Sequence, residues 1–278
     1  MAAGTVQLVA GRGLTSIFER ICGEMWSVSP YALCDHRCVY CITGVQGVSD
    51  PIMAADDARD ATRRFVRSAP SDALYLLGAF SDAYPNVEAE GGLTRAVLEE
   101  LLAAEARVTI ITKGTTVLRD VDLLVLGGDR VHVQVSLCTL DEDALARLDV
   151  GAPTGAARLA AVDALLGAGL RVGVNALPWI PGVTDTRALI DAVDPAAEIV
   201  FSPLAFGDGR DSMRLLGREY RRPDVWRAYD DAYRAFGHVP NTSWVRPSPP
   251  PQENHPLLRL PRRDCDVPVG VPGGRRAR

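Results

Sequence analysis

Three of the six cysteines lie close together near the start of the chain, in the run Cys34-Asp35-His36-Arg37-Cys38-Val39-Tyr40-Cys41. Thiolates on one short loop can point at a common centre, and thiolates favour soft metals and iron–sulfur clusters. Three cysteines leave one iron of a four-iron cubane open, and an open iron can hold a reacting ligand. The C-x3-C-x2-C spacing therefore predicts a metal or iron–sulfur centre bound by Cys34, Cys38 and Cys41.

Two plainer interpretations of these cysteines stay open at this point. A structural zinc site uses similar thiolate ligands and needs a fourth ligand from elsewhere, which His36 could supply although neighbouring residues rarely chelate one metal well. In a secreted protein the cysteines would instead be oxidised. The spacing alone favours the cluster without excluding either alternative.

Lys113 is the only lysine among the 30 basic residues of the chain. Arginine has taken every other place where a generic surface cation would serve. A single remaining lysine is a candidate for a position that needs a compact ammonium group.

Apolar runs of strand length alternate with helical segments through the middle of the sequence. The six predicted strands are Met25–Val28, Ala73–Gly78, Val108–Thr112, Val131–Leu137, Leu170–Leu177 and Glu198–Pro203. This alternation predicts βαβ units with parallel strands, arranged as a partial (β/α)6 TIM-type barrel. A doubly wound sheet is the alternative, but no G-x-G-x-x-G follows the first strand. Barrels of this kind place their chemistry at the carboxyl ends of the strands.

The predicted barrel covers residues 25–207 and is flanked by two extensions. Residues 1–24 form an N-terminal extension, with a helix predicted around Ser16–Ile21. Residues 208–278 form a C-terminal extension, in which an amphipathic helix over Pro223–Phe236 precedes a tail rich in proline and arginine.

The composition limits the classes of partner and the compartment. A hydrophobic content of 47% supports a real core, and a net charge of −5 makes nucleic acid an improbable partner. No apolar run is long enough to span a membrane, and the N-terminus lacks the features of a secretory signal. We therefore expect a cytoplasmic protein with reduced thiols and no membrane contact.

With an aromatic residue, Tyr40, just before its last cysteine, the cysteine motif resembles that of the radical S-adenosylmethionine (SAM) superfamily. Further stretches resemble the spore photoproduct lyase-like branch of that superfamily, in order over about residues 28–190. They are Gly78–Glu88 with Leu93–Arg95, Ile111–Gly114 with Leu118–Leu124, Val135–Asp141, and Pro178–Asp185.

The resemblance implies two cofactors and a set of residues that hold them. The cofactors are a [4Fe-4S] cluster and SAM bound to its open iron. Residues implied to contact SAM are Ser81 and Asp82 after the second strand, Lys113 after the third, Ser136 at the end of the fourth, and, less specifically, Tyr40, Asn175 and Ile180. The substrate-side candidates are His132, Gln134, Asn175 and Cys138. His132 and Gln134 share the strand face of Ser136, and Cys138 is a candidate hydrogen donor.

One departure from the branch bears on the reaction. Spore photoproduct lyase uses a cysteine just before the Ser-Asp pair as a hydrogen donor, whereas this chain has Ala79-Phe80 there. We therefore expect a radical SAM enzyme acting on a small organic substrate, such as a nucleoside or sugar-nucleotide metabolite, with flavodoxin or ferredoxin as electron donor. The alternatives are a DNA photoproduct repair lyase and a non-catalytic iron–sulfur or zinc protein.

Overall fold

The computed structural model describes residues 18–21, 25–31, 34–41, 55–79, 81–180, 182–203 and 244–246. The helix predicted over Pro223–Phe236 and the proline- and arginine-rich tail after Arg246 lie outside the described residues. No helix within these ranges is long and apolar enough to cross a membrane.

The strands form a single eight-stranded sheet whose spatial order is the order of the chain. The inner strands β2 to β7 are all parallel, and β1 and β8 pair antiparallel at the two edges. The strands are β1 (Phe18–Ile21), β2 (Met25–Val28), β3 (Leu74–Leu77), β4 (Arg107–Thr112), β5 (Val131–Ser136), β6 (Arg171–Trp179), β7 (Glu198–Pro203) and β8 (Trp244–Arg246). In the described residues this sheet is open, and it is the predicted partial (β/α)6 TIM-type barrel.

The predicted helix around Ser16–Ile21 is wrong, because Phe18–Ile21 is a strand. Its backbone pairs with β2, from Phe18 opposite Val28 to Ile21 opposite Met25. Pairing with an available sheet edge outweighs a weak local helical preference.

Helices connect successive parallel strands. They are α1 (Ala55–Ser68), α2 (Glu88–Gly91), α3 (Leu93–Ala103), α4 (Val121–Gly127), α5 (Glu142–Leu148), α6 (Gly155–Gly167) and α7 (Thr186–Ala192). Three of them begin at a side-chain cap, in which Asp141, Thr154 or Asp185 accepts a hydrogen bond from a backbone N–H of the first turn. These caps fix where the chain turns from each loop into the helix that follows.

The two faces of the sheet differ in chemistry. On the outer face, Val131, Val133 and Val135 of β5 join the main hydrophobic core with residues of the covering helices such as Leu101 and Leu165. Because side chains alternate along a strand, the residues between these valines face the interior of the partial barrel.

The interior is mainly apolar along β2 to β4, apart from Ser27 and Thr109, and more polar along β5 to β7. Along β2 to β4 a small separate cluster contains Met25, Leu74 and Leu76, with Ile111 packed against it. Along β5 to β7 the corresponding buried positions are polar, namely His132, Gln134, Ser136, Asn175 and Glu198. The predicted polar series of β5 therefore lies on the inner face.

Candidate functional site

The cysteine segment, residues 34–41, follows β2 at the carboxyl end of the parallel strands. Cys38 is buried, whereas Cys34 and Cys41 are partly exposed. The backbone N–H of Cys41 donates to the carbonyl of Cys38 at 3.1 Å, which tightens the turn between them. Burial raises the pKa of Cys34, and backbone N–H groups of Asp82 and His36 counteract this by donating to its sulfur.

The segment is docked against the connection between α5 and α6. Cys38 and Asp149 form an antiparallel bridge, and the N–H of Val39 donates to the carbonyl of Leu148 at 2.9 Å. The N–H of Gly151 donates to the carbonyl of His36 at 2.8 Å. Backbone contacts on both sides of Cys38 thus hold the segment in place.

Asp82 joins three segments through its buried carboxylate. One oxygen accepts hydrogen bonds from the N–H of Tyr84 at 2.8 Å and from the Thr112 hydroxyl, and the other accepts from the N–H of Lys113 at 2.7 Å. Nδ1 of the fully buried His36 lies 3.2 Å from the second oxygen, although neither ring nitrogen makes a well-aligned hydrogen bond. Burial alone would raise the pKa of Asp82, but His36 and Lys113 favour the charged form and lower that pKa well below its usual range.

Ser81 braces the chain that leads into the cysteine segment. Its hydroxyl donates to the carbonyl of Tyr31, and the Tyr31 hydroxyl donates to the buried carboxylate of Glu88. Glu88 in turn accepts from Arg119 at 2.6 Å, and Arg119 also pairs with the buried Asp120 at 2.8 Å. Several residues of the sequence stretches that resemble the spore photoproduct lyase-like branch therefore belong to one buried hydrogen-bond network beside the cysteine segment.

Lys113 lies within electrostatic reach of Cys38 and of the carboxylates of Asp149 and Asp82. Its Nζ is 5.5 Å from the centre of the Tyr40 ring. Burial opposes the charged form of Lys113, but Cys38 and Asp149 outweigh that effect and raise its pKa. An ammonium group in this position lowers the electrostatic cost of bringing thiolates and a bound anion together.

A second buried charge cluster surrounds the last turn of the cysteine segment. The Tyr40 hydroxyl donates to one oxygen of Asp149, and Nη1 of Arg158 donates to the other at 2.7 Å. Arg158 is fully buried and also donates to the carbonyl oxygens of Ser136 and Pro153. These contacts connect the cysteine segment, the end of β5 and α6.

The remaining predicted SAM contacts lie on β5, on β6 and just after β6. Ser136 ends β5 and is paired in register with Asn175 of β6, so both reach the carboxyl end of the inner face. Ile180 is buried in the main hydrophobic core, which favours a packing role. Cys138 is buried as well, and burial raises the pKa of its thiol to about 12.

The structure places His132 away from the cysteine segment. His132 is near the amino end of β5, and its Nε2 lies 3.5 Å from Glu198 at the start of β7, while Glu198 accepts from Arg171 at 2.6 Å. Ser136 lies four positions after His132, which is about 13 Å along the strand. Gln134 lies between them on the same face. This position favours a structural role for His132 over a part in substrate chemistry.

The sequence reasoning assigned no role to Asp149, Arg158 or Glu88. Arg158 did leave a signal, because it occupies the buried stripe of α6 with Ala161, Val162 and Leu165. A charged residue on an apolar helix face implies a buried partner. Which residue supplies that partner depends on tertiary contacts that helix periodicity does not encode.

The cysteine segment can supply the three thiolates that a cluster with one open iron requires. Among the described residues, no three His, Cys, Asp or Glu side chains are grouped as ligands of one metal ion. A [4Fe-4S] cluster attaches each cysteine to a different iron, so its thiolates need not meet at one point. Backbone N–H donors at Cys34 and the nearby ammonium of Lys113 suit thiolates that carry such a cluster.

An open sheet with six parallel inner strands, and a three-cysteine segment at their carboxyl end, defines an α/β protein of the partial-barrel type. Residues 28–192 match the family model described as the Radical SAM superfamily. The match covers more than half of the chain, so the chain belongs to the radical SAM superfamily and is a radical SAM enzyme. Membership implies SAM and a [4Fe-4S] cluster as cofactors.

Similar sequences occur in mycobacteria and in an archaeal virus. Uncharacterized proteins of Mycobacterium bovis and Mycobacterium tuberculosis are 27% identical over 236 residues, covering 77% of this chain and 69% of the relative. An uncharacterized protein of Acidianus two-tailed virus is 36% identical over 88 residues, covering 32% of this chain and 29% of the relative.

Two solved structures share the fold. A spore photoproduct lyase variant with bound AdoMet and dinucleoside spore photoproduct has a TM-score of 0.51 at 16% identity, covering 72% of this chain and 61% of that chain. SuiB of Streptococcus suis bound to S-adenosylmethionine has a TM-score of 0.51 at 14% identity, covering 77% and 48%. The chain therefore spans less than two thirds of either solved protein, and the likeness concerns the fold.

Proposed function

We propose that Cys34, Cys38 and Cys41 bind a [4Fe-4S] cluster and that SAM is bound beside it for hydrogen abstraction from a small organic substrate. When bound, the cluster supplies the electron that splits SAM into methionine and a 5′-deoxyadenosyl radical. The observation that carries this proposal is the position of Lys113, directly after β4, and of Ser136, the last residue of the neighbouring β5, on the side where the cysteine segment lies.

The chain's own residues support separate parts of this function. Lys113 offers a compact positive charge for the SAM carboxylate, and Ser136 and Asn175 offer neutral hydrogen-bonding groups beside it. Ser81 and Asp82 hold the loops that form the wall of the site, through the hydrogen bonds to Tyr31, Tyr84, Thr112 and Lys113 described above. The Asp82 carboxylate keeps lone pairs that can still accept a hydrogen bond from the ammonium group of SAM.

For the substrate, we favour a small polar metabolite whose sugar and base offer hydrogen-bonding groups, such as a nucleoside or sugar nucleotide. The uncharged groups of Gln134, Ser136 and Asn175 on the inner face can hydrogen-bond such a molecule. Cys138 keeps its proton at neutral pH because its pKa is raised, as a hydrogen-atom donor requires. A cytoplasmic location and a flavodoxin or ferredoxin as reductant complete the proposal.

Binding measurements on the anaerobically reconstituted protein test the SAM site. We expect Lys113→Ala to retain wild-type iron and sulfide content but to bind SAM at least about tenfold more weakly, the loss typical of one charge-assisted hydrogen bond. Isothermal titration with SAM gives the affinity. Unchanged affinity would remove Lys113 from the site.

Candidate substrates are distinguished by isotope transfer. The holoenzyme is incubated with SAM, reductant and deuterated nucleosides or sugar nucleotides, and deuterium in 5′-deoxyadenosine identifies the substrate class. Ultraviolet-irradiated DNA is included as a further substrate. Restoration of thymine residues in the irradiated DNA, with no deuterium transfer from any small molecule, would replace the proposed substrate class by DNA photoproduct repair.

A further inference from the structure

Asp149 has more contacts to the cysteine segment than its position in the sequence suggests. It follows the last residue of α5, its carboxylate accepts from Tyr40 and Arg158, and its backbone is bridged to Cys38. The carboxylate also forms a buried ion pair with Arg158 at 2.7 Å, which makes Asp149 the negatively charged partner of that pair.

The backbone around Asp149 leaves the docked segment little freedom. A Cβ atom at Gly151 would lie 2.2 Å from the carbonyl oxygen of Asp35, so only glycine allows this approach. Asn86 also connects the two segments. Its backbone N–H donates to the Asp35 carboxylate at 2.9 Å, and its side-chain amide donates to the Gly151 carbonyl at 2.9 Å. The cysteine segment is thus held by backbone contacts, with Asp149 supplying the buried side-chain contact.

The charges around Cys38 depend on Asp149 as well. The backbone of Cys38 is bridged to that of Asp149, and Asp149 forms an ion pair with Arg158 at 2.7 Å, so its negative charge lies close to this cysteine. Without Asp149, the buried cation of Arg158 would lose its carboxylate partner, and the net charge beside the cysteine segment would be more positive. Net charge near the cysteine ligands is one of the factors that set the reduction potential of an iron–sulfur cluster.

We propose that Asp149 is a positioning residue for the cluster: it fixes Cys38 and Tyr40 through the contacts described above and keeps the cluster's reduction potential low with its fixed negative charge. This inference rests on the proposed function for the cluster, but its geometric part concerns the apoprotein alone. A residue that only capped α5 would affect stability without affecting Cys38 or the potential.

The apoprotein test measures the alkylation of Cys38 by iodoacetamide, followed by peptide mass spectrometry. Asp149→Asn is expected to accelerate this reaction roughly tenfold, the loss typical of one buried hydrogen bond to a charged group. Tyr40→Phe removes only the hydroxyl and is expected to act in the same direction. The double variant should react no faster than the faster single variant, because the two residues act through one contact. Asp163→Asn, on the exposed side of α6, is the matched control and should react like wild type.

The holoprotein test measures the reduction potential by titration monitored with electron paramagnetic resonance. Asp149→Asn is expected to shift the potential to a more positive value, whereas Tyr40→Phe, which keeps the carboxylate, should shift it less. If circular dichroism shows that Asp149→Asn does not fold, Tyr40→Phe decides the geometric part.

The inference is overturned if Cys38 of the folded variants reacts at the wild-type rate, or if the potential does not respond to Asp149→Asn. Failure of the wild-type protein to bind a cluster would overturn the proposed function instead, and the alkylation result on the apoprotein would still decide the geometric part.

Discussion

The ionised carboxylate of Asp82 connects the loop after β3, the end of β4 and the cysteine segment through its contacts with Tyr84, Lys113 and His36. The sequence predicted a SAM contact for this residue, and the structure adds its hydrogen bonds within the protein. Such a carboxylate is paired by neighbouring N–H groups, which is what makes its burial tolerable.

We expect Asp82→Asn to lower the free energy of unfolding of the apoprotein by about 2 kcal/mol, because a neutral amide loses the charge-assisted hydrogen bonds. Urea denaturation followed by circular dichroism gives this value. Asp72→Asn, at an exposed turn residue, is the control and should lie within about 0.5 kcal/mol of wild type. A variant of Asp82 as stable as that control would contradict the bracing role.

Cys138 provides a second test at the level of one residue. Its folded-state pKa of about 12 lies above the ordinary value of 9.0, so the native fold favours the thiol. The stability from this difference is fully present below pH 9.0 and is lost as the pH rises towards 12. At pH 8 we expect iodoacetamide to alkylate Cys138 at least roughly a hundredfold more slowly in the native protein than in the urea-unfolded chain. Similar rates in the two states would show that the thiol is not buried as described.

At the scale of elements, close contacts at the strand ends determine where the loops of the site can lie. Gly78 follows β3 with φ +94°, and a Cβ atom there would lie 1.9 Å from the carbonyl oxygen of Ile111. The loop that carries Ser81 and Asp82 can therefore leave the sheet only because this position is glycine.

We expect Gly78→Ala to destabilise the apoprotein by about 3 kcal/mol, since alanine is strained at this φ and collides with the backbone of β4. Gly167→Ala is the matched control, because no atom lies within 4 Å of its added Cβ atom in α6. That substitution should be neutral or stabilising by up to about 1 kcal/mol. Thermal unfolding of both variants separates the outcomes, and equal melting temperatures would contradict the strained turn.

The order of the elements could be predicted from the sequence, whereas the partners of the site residues could not. Alternation of apolar runs with helical segments is enough to predict parallel strands, and the carboxyl-end rule then places Lys113 and Ser136 near the cysteines. The contact of Tyr40 with Asp149 spans 109 residues and arises only when α5 packs beside the cysteine segment. The strand Phe18–Ile21 likewise depends on a sheet edge that local propensity does not reveal.

At the scale of the whole molecule, a polar group of His132, Arg171 and Glu198 lies in the interior, separate from the candidate site. His132 and Arg171 meet Glu198 near the amino ends of their strands, at the end of the sheet opposite to the cysteines. A Cβ atom at Gly173 would lie 3.3 Å from Cβ of Glu198 and 3.4 Å from Nε2 of His132, so glycine leaves space beside this pair. We assign this group to stabilisation of the barrel.

Glu198→Gln is therefore expected to lower the free energy of unfolding by about 1–3 kcal/mol while leaving SAM affinity unchanged. Urea denaturation of the apoprotein and isothermal titration of the reconstituted protein measure the two quantities. Exposed Glu105 offers the control substitution Glu105→Gln. A large loss of SAM affinity in the Glu198 variant would show that the polar group of His132, Arg171 and Glu198 is coupled to the SAM site.

The formation of 5′-deoxyadenosine tests the central claim most directly. Wild-type protein and a variant carrying Cys34→Ala, Cys38→Ala and Cys41→Ala are reconstituted anaerobically and mixed with SAM and dithionite. The account predicts iron, sulfide and 5′-deoxyadenosine in the wild type and none of the three in the variant. Cluster binding and SAM cleavage by the triple variant, or a loaded wild type that never cleaves SAM, would contradict it.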